Sequence, residues 1–428
     1  MIKVGIIASM AVFVNLTVPA MAASLYDDLG SLVTNHQRLV AAQADVDAAS
    51  ERVEVAKGSW YPDLSMSTSY GYERQIKGND TADTSMPSRD LSASINQTVW
   101  DFGAINAEIE RANLELEQSK LTLSAGRQSL ILEGVSAYIE LARASKLVQF
   151  AIESVKNIKH QADLEDSKVQ RGSGLPTDVL HAKTQLAGAE ARLTRARGAF
   201  RVASNRYRAV FGYDAGNIND MEMPEAPLGE VPGAVDQAIA IAFKENPGLE
   251  AAATTSYIAR KDVTITNANE FMPNFDLVVE SSFQRDAEGT VGDKSEQLIM
   301  LELTYDFNLG GTAINTLRAA KYVHSASENR YGDEQTRVEE QIRNAWDNLE
   351  TAKENAGHLT NQADIAAEFL ELARQERFLG NRSLIDVLSG ETALINANSE
   401  SASAQADVSL AVYSLVAAMG RLELNLFQ

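Results

Sequence analysis

Between Gly103 and Arg171 the chain carries apolar or small residues at alternating intervals of four and three, with no proline. The seam reads Ile105, Ile109, Ala112, Leu116, Ser119, Leu123, Gly126 and Leu130. It skips one residue at Glu133–Gly134 and resumes as Gly134, Ala137, Leu141, Ala144, Val148, Ala151, Val155, Ile158 and Ala162. Such spacing belongs to helices packed side by side. A helix of this length is roughly 100 Å long, which predicts a coiled coil or helical array. Leu114, Leu121, Leu132, Val135 and Ile139 form a second stripe beside the first. A helix with two seams has a neighbour on each side, like a stave in a closed tube.

Before this stretch, Leu25–Lys57 reads as one amphipathic helix ended by Pro62. Two segments of period two follow. Leu64, Met66, Thr68, Tyr70 and Tyr72 alternate with Ser65, Ser67, Ser69 and Gly71; Leu91, Ala93, Ile95, Gln97 and Val99 alternate with Ser92, Ser94, Asn96 and Thr98. The predicted strands, about 62–73 and 91–100, are long enough to cross a bilayer when tilted. Arg74–Asp90, with Gly78 and Pro87, reads as the loop between them. The long helix, 103–171, stops at Gly172-Ser173-Gly174-Leu175-Pro176. Thr177 is an expected N-cap for a return helix over 178–211.

Residues 212–233, rich in Gly, Pro and acids, read as an equatorial connector. The plan then begins again over 234–428: a helix from Ala234 to Glu270, Pro273, strands about 273–284 and 298–307, a long helix about 312–379, a break at Gly380-Asn381, and a return helix 384–420 capped by Ser383. Tyr305-Asp306-Phe307 mirrors Trp100-Asp101-Phe102, and Ile385-Asp386-Val387-Leu388 mirrors Thr177-Asp178-Val179-Leu180. Landmarks in the same order at nearly the same offset indicate an internal duplication, in which residues 23–211 form the first repeat.

Four strands of membrane length per chain cannot form an open sheet in lipid, because the edge N–H and C=O groups would be unpaired. The smallest single-chain barrels have eight strands. Closure therefore requires two, three or four copies. The fold class expected is mainly α with membrane β: duplicated helix–β-hairpin–long helix–helix units, making a β-barrel continued by a long α-helical barrel. Trp60, Tyr61, Trp100, Phe102, Phe271, Tyr305 and Phe307 all fall at helix–strand junctions, where a membrane-interface girdle is expected.

Composition sharpens this picture. Residues 1–22 have the order of a secretory signal, with Lys3, the apolar run Val4–Val14 and Ala20-Met21-Ala22, so the mature chain is expected to begin near Ala23. No cysteine occurs, which excludes disulfides, thiolate metal sites and attachment of lipid to Cys. The formal charge of −21 argues against a nucleic-acid partner and suggests an acidic, cation-preferring lumen. The five histidines are scattered, and no HExxH, P-loop or GxSxG motif occurs. No enzyme and no cofactor are expected. The alternative of another class is a periplasmic coiled-coil scaffold or adaptor without a pore.

The duplicated plan, the strand endings Trp100-Asp101-Phe102-Gly103 and Tyr305-Asp306-Phe307-Asn308-Leu309-Gly310-Gly311, and the two reversals around Gly174–Val179 and Gly380–Leu388 together resemble the TolC family of outer-membrane efflux and secretion ducts. The resemblance covers essentially the whole mature length. It implies a homotrimer with a twelve-stranded barrel in outer-membrane lipid of a Gram-negative bacterium, and a periplasmic α-barrel. It implies docking to an inner-membrane transporter through a periplasmic adaptor, or membrane fusion protein. In detail it is most similar to the type I secretion branch, which exports unfolded proteins; multidrug efflux uses the same duct.

By the same resemblance the reversals are the periplasmic tips and the adaptor contacts, at Gly172, Gly174, Pro176, Thr177, Gly380, Asn381 and Ser383. Asp178 and Arg382 match a family acid–arginine link that helps close the pore, and Asp386 matches an acid of the constriction ring. Arg377 and Ser389 depart from the family pattern, so a different closing network is expected. On elementary grounds Asp178 and Asp386 are also acids favoured by the dipole in a helix's first turn.

Overall fold

The seams become helices and the alternating segments become strands in a computed structural model that describes residues 25–78, 83–216, 221, 223–306 and 309–427. The segment read as a signal, residues 1–22, and Phe307 lie outside these residues. The first half comprises α1 (Leu25–Asn35), α2 (Gln37–Gly58), β1 (Asp63–Gln75), β2 (Thr84–Trp100), α3 (Ala104–Gln170) and α4 (Pro176–Phe211). The second half repeats the order with α5 (Val235–Glu245), α6 (Pro247–Phe271), β3 (Asn274–Arg285), β4 (Asp293–Thr304), α7 (Thr312–Phe378) and α8 (Leu384–Ala418). Among the described residues no helix is long and apolar enough to span a membrane.

The first helix of each half, expected to be continuous, is broken in two. At His36 the backbone turns extended, and its Nδ1 accepts the Arg38 N–H at 3.2 Å. In the second half the Asn246 side chain caps the N–H groups of Gly248 and Leu249, and Pro247, which has no N–H to satisfy, opens α6. Apolar periodicity continues across both breaks and so conceals them.

The strands are also longer than expected at the loop end. β2 begins at Thr84 instead of Leu91, and β4 runs from Asp293 to Thr304 instead of 298–307. Pairing with β1 recruits the polar stretch, with Tyr72 opposite Pro87 and Glu73 opposite Met86. Pro87 is tolerated because β2 meets β3 only from Arg89 onward, so no second neighbour requires its missing N–H.

The antiparallel order is β1-β2-β3-β4. Its register sorts side chains onto two faces. Leu64, Met66, Tyr72, Leu91, Ile95, Val279, Ile299 and Leu301 share one face, and most of them are largely exposed in the single chain. Serines crowd the other face, where Ser65–Ser94 and Ser67–Ser92 hydroxyl pairs lie at 2.7 Å. The same polar face carries Asp90, Asp276, Glu280, Glu296 and Glu302, against Lys294 as the basic residue of these register positions.

Asp101 fixes the turn from sheet to helix. It is buried, and its carboxylate accepts the N–H groups of Gly103 at 2.9 Å and Ile105 at 2.5 Å. Phe102 and Gly103 both take positive φ to make that turn. The Trp-Asp-Phe-Gly run is thus a helix cap attached to an aromatic rim. Trp100 stacks edge-on to Phe102 at 6.0 Å, and Phe102 approaches Phe275 at 6.5 Å.

The main core sits midway along α3, where Leu130, Ile131, Val135 and Ile139 meet Leu29, Leu32, Tyr207, Phe211 and Tyr413. The one-residue slip falls here and has a packing cause. On the sheet side, Ala112 and Leu116 of α3 pack on Val53 and Ala56 of α2. On the far side, Ile158 and Ala162 pack on α4 and α8 through Ala182, Ala189, Leu384 and Leu388. α3 changes partners between these clusters, and Glu133 joins them by accepting from Arg38 of α2 at 2.5 Å and from Arg206 of α4 at 2.8 Å. Gly134 lies under the crossing: a Cβ there would sit 2.8 Å from Leu29 and Leu32 and 3.3 Å from Phe211.

Candidate functional site at the helical tips

Each long helix ends in the same backbone device. The Gly172 N–H bonds the Val169 carbonyl at 2.9 Å and the Ser173 N–H bonds Lys168 at 3.0 Å; Gly380 and Asn381 repeat this toward Arg377 and Glu376. These are paired 5→2 and 6→1 bonds closed by a left-handed glycine, with φ +77° at Gly172 and +81° at Gly380. Gly174 is required for a different reason, since a Cβ would lie 2.8 Å from the Val169 nitrogen.

The return helices start differently. Ser383 caps α8 as expected, its hydroxyl accepting the Asp386 N–H at 3.2 Å. The expected N-cap Thr177 does not cap α4: Leu175 occupies that position and Pro176 is already helical. Proline's fixed φ replaces the missing side-chain cap. Asp178 stands in the first turn of α4.

Within one chain Arg382 and Asp178 are not brought together. Arg382 instead contacts Glu376 at 3.3 Å and Asp386 at 3.8 Å, and its guanidinium lies 5.2 Å from the centre of the Phe369 ring. Asp178 has no ion pair among the described residues.

The link between the two halves is made by residues outside the expected set. Arg377 of α7 donates to Glu165 of α3 at 2.6 Å, and Lys168 donates to the same oxygen at 2.8 Å. The Glu165 side chain is 4% exposed and that of Arg377 20%. Burial raises the Glu165 pKa, but hydrogen bonds and charges from Lys168 and Arg377 outweigh it and hold the carboxyl below its ordinary 4.5. A second buried acid, Glu391 of α8, pairs with Arg374 of α7. The signal for both acids was present in the seams, since Glu165 follows Ile158 and Ala162, and Glu391 follows Leu384 and Leu388, at the same four–three spacing. An acid at an inward seam position calls for a buried cationic partner. The arginine at 377, noted only as a departure from the family pattern, is that partner for Glu165.

At the other end of the helices the junction aromatics form a rim. Tyr61 and Trp100 are mostly exposed, Phe102 and Tyr305 are roughly half exposed, and Trp60 donates its indole N–H to Asn106 at 3.2 Å. Among the described residues no cluster of metal-binding side chains occurs.

Comparison with known proteins places this architecture. The family model described as "Outer membrane efflux protein" matches residues 29–213 and 238–421, one segment in each half. The chain is similar to the outer membrane efflux protein BepC of Brucella suis biovar 1 (strain 1330), 25% identical over 96% of this chain and 89% of that protein. It is similar to the alkaline protease secretion protein AprF of Pseudomonas aeruginosa PAO1, 21% identical over 91% of this chain and 82% of that one. Its fold matches the crystal structure of the Campylobacter jejuni CmeC outer membrane channel with a TM-score of 0.80 at 15% identity, covering 94% and 86% of the two chains. The chain therefore belongs to the TolC-type outer membrane efflux protein family, as a non-enzymatic outer-membrane channel that reaches into the periplasm.

Proposed function

We propose that this chain works as a homotrimeric exit duct, taking cargo from an inner-membrane transporter and a periplasmic adaptor and passing it through the outer membrane, and that the cargo is an unfolded polypeptide of the type I secretion class. The observation that carries the duct reading is the two-faced sheet with open edges at β1 and β4. Pairing β4 of one copy with β1 of the next removes both edges, and three copies give a barrel of about twelve strands, within the known range. The apolar face then meets lipid, the junction aromatics lie at the interface, and the serine-rich face lines the pore. The tip residues Gly172, Gly174, Pro176, Thr177, Gly380, Asn381 and Ser383 are the adaptor contacts. Asp178, Arg382 and Asp386, together with Glu165 and Arg377, form the periplasmic gate. Residues 212–233 serve as an equatorial connector around the tube, and residues 1–22 as the export signal.

The similarity to a named protease secretion protein over most of the chain supports polypeptide cargo. The name of BepC favours the second reading, small-molecule efflux. Deleting the gene separates the two. Loss of specific polypeptides from the culture medium with unchanged drug susceptibility is expected; drug hypersensitivity with an intact secretome would replace protein secretion by efflux.

The polar face of the sheet makes the pore acidic, with Asp276, Glu280, Glu296 and Glu302 directed to the interior. Cation preference follows from this fixed charge. Reversal potentials of the purified channel under a KCl gradient are expected on the cation side; anion preference would contradict this pore lining.

A further inference from the structure

Midway between the equatorial core and the tips, α3, α4 and α8 line a half-open pocket of about 160 Å³. Its walls are mainly apolar, contributed by Leu147, Ala151, Ala189 and Ile395. Two polar groups in the lining are left without partners. Ser154 is 4% exposed, and its Oγ makes no hydrogen bond. Other serines on these long helices, including Ser119, Ser167, Ser399 and Ser403, return their hydroxyls to the carbonyl four residues earlier. Ser154 does not use this ordinary option. Arg192 likewise presents a buried Nη2 with no hydrogen-bond partner, and it has no carboxylate within ion-pair distance among the described residues.

A buried hydroxyl and a buried guanidinium nitrogen left without partners are both costly, and each calls for an explanation. Here the explanations converge, because both groups line one pocket. Both can donate, one carries positive charge, and the rest of the wall is mainly apolar, with Asn396 at the exposed side and Ser399 returning its hydroxyl to Ile395. One water cannot complete this site, since its share of liquid volume is about 30 Å³. A cavity of roughly 150 Å³ is the size that holds a benzene ring.

We infer that this pocket is a binding site for a small organic monoanion, a carboxylate on a compact apolar body of about the size of benzoate. The carboxylate accepts from Arg192 Nη2 and Ser154 Oγ, and the apolar body lies against Ala151, Ala189 and Ile395. The bound anion would tie the α3–α4 pair to α8 through the wall of the tube. This site is independent of the tip contacts and of the cargo class.

The test is isothermal titration of the detergent-solubilised full-length oligomer with benzoate, with neutral benzamide and with acetate. Saturable benzoate binding is expected. Benzamide, which lacks the charge, and acetate, which lacks the apolar body, should each bind about tenfold more weakly. Arg192→Gln should weaken benzoate binding about tenfold and Ser154→Ala about threefold. Ala196→Leu, a lining position that is not fully buried, should block the pocket while leaving both donors in place. Recovery of each variant as a detergent-resistant oligomer separates loss of binding from loss of fold. Absence of saturable benzoate binding, equal affinity for benzamide or acetate, or unchanged binding in Arg192→Gln would each overturn the inference.

Discussion

Arg377→Gln is expected to raise the conductance of the purified channel in planar bilayers more than any other single tip substitution. Arg377 is the cation that joins α7 to the buried Glu165 of α3. Its loss removes a charge-assisted hydrogen bond to a buried carboxylate, worth about 2 kcal/mol; Lys168 still reaches the same oxygen, so the cost stays below that of a wholly unpaired buried charge. That corresponds to a shift of roughly thirtyfold in the equilibrium between paired and splayed tips. Glu165→Gln should act in the same direction. The double variant should add little to either single change, because both remove one interaction. Lys168→Gln is the contrasting control: its ammonium is half exposed, so the loss should stay below about 1 kcal/mol.

The pH dependence has a fixed sign. The folded-state pKa of Glu165 lies below 4.5, so the ionised carboxyl stabilises the tip above that ordinary value, and the contribution is lost as pH falls through the depressed one. Conductance should be flat from neutrality down to the ordinary carboxylate range and rise only below it. Arg377→Gln removes one of the two groups that depress the pKa, so the acid rise should begin at higher pH. Wild-type conductance that rises between neutrality and the ordinary carboxylate range would remove Glu165 from the gate.

Gly134→Ala should destabilise the assembly although alanine is the better helix former. The added methyl meets Leu29, Leu32 and Phe211 in the equatorial core, where the two leucines are almost wholly buried. Overpacking of this kind costs about 1–3 kcal/mol. Gly126→Ala supplies the opposite sign on the same helix. Its Cβ would find Leu39 at 3.8 Å, an ordinary contact, so the helix-propensity gain of about 0.5–1 kcal/mol should appear. Thermal inactivation of the oligomer measures both, and a Gly134→Ala variant as stable as Gly126→Ala would disprove the crossing as the reason for the slip.

The large features were legible because they are periodic. Four–three spacing, two-residue alternation and repeated landmarks report helices, strands and duplication with little dependence on tertiary context. What escaped depends on partners distant in sequence. Thr84–Asp90 is polar, contains a proline and becomes a strand only because β1 offers it a register. The helix breaks at His36 and Asn246 are local caps beneath an uninterrupted apolar pattern. At the tips the glycine reversals were visible as turn chemistry, whereas the ion pair across them was not. Glu165 and Arg377 lie 212 positions apart, and only the folding of one half against the other makes them neighbours. Ser154 and Arg192 were hidden for the same reason, since neither residue type signals a site on an amphipathic helix.

Single-channel recording of the oligomer extracted from outer membranes tests the central claim most directly. Discrete, cation-preferring conductance steps from a detergent-resistant trimer are the expected result. A soluble periplasmic monomer that gives no conductance in the same bilayers would contradict the duct and leave a scaffold of helices in its place.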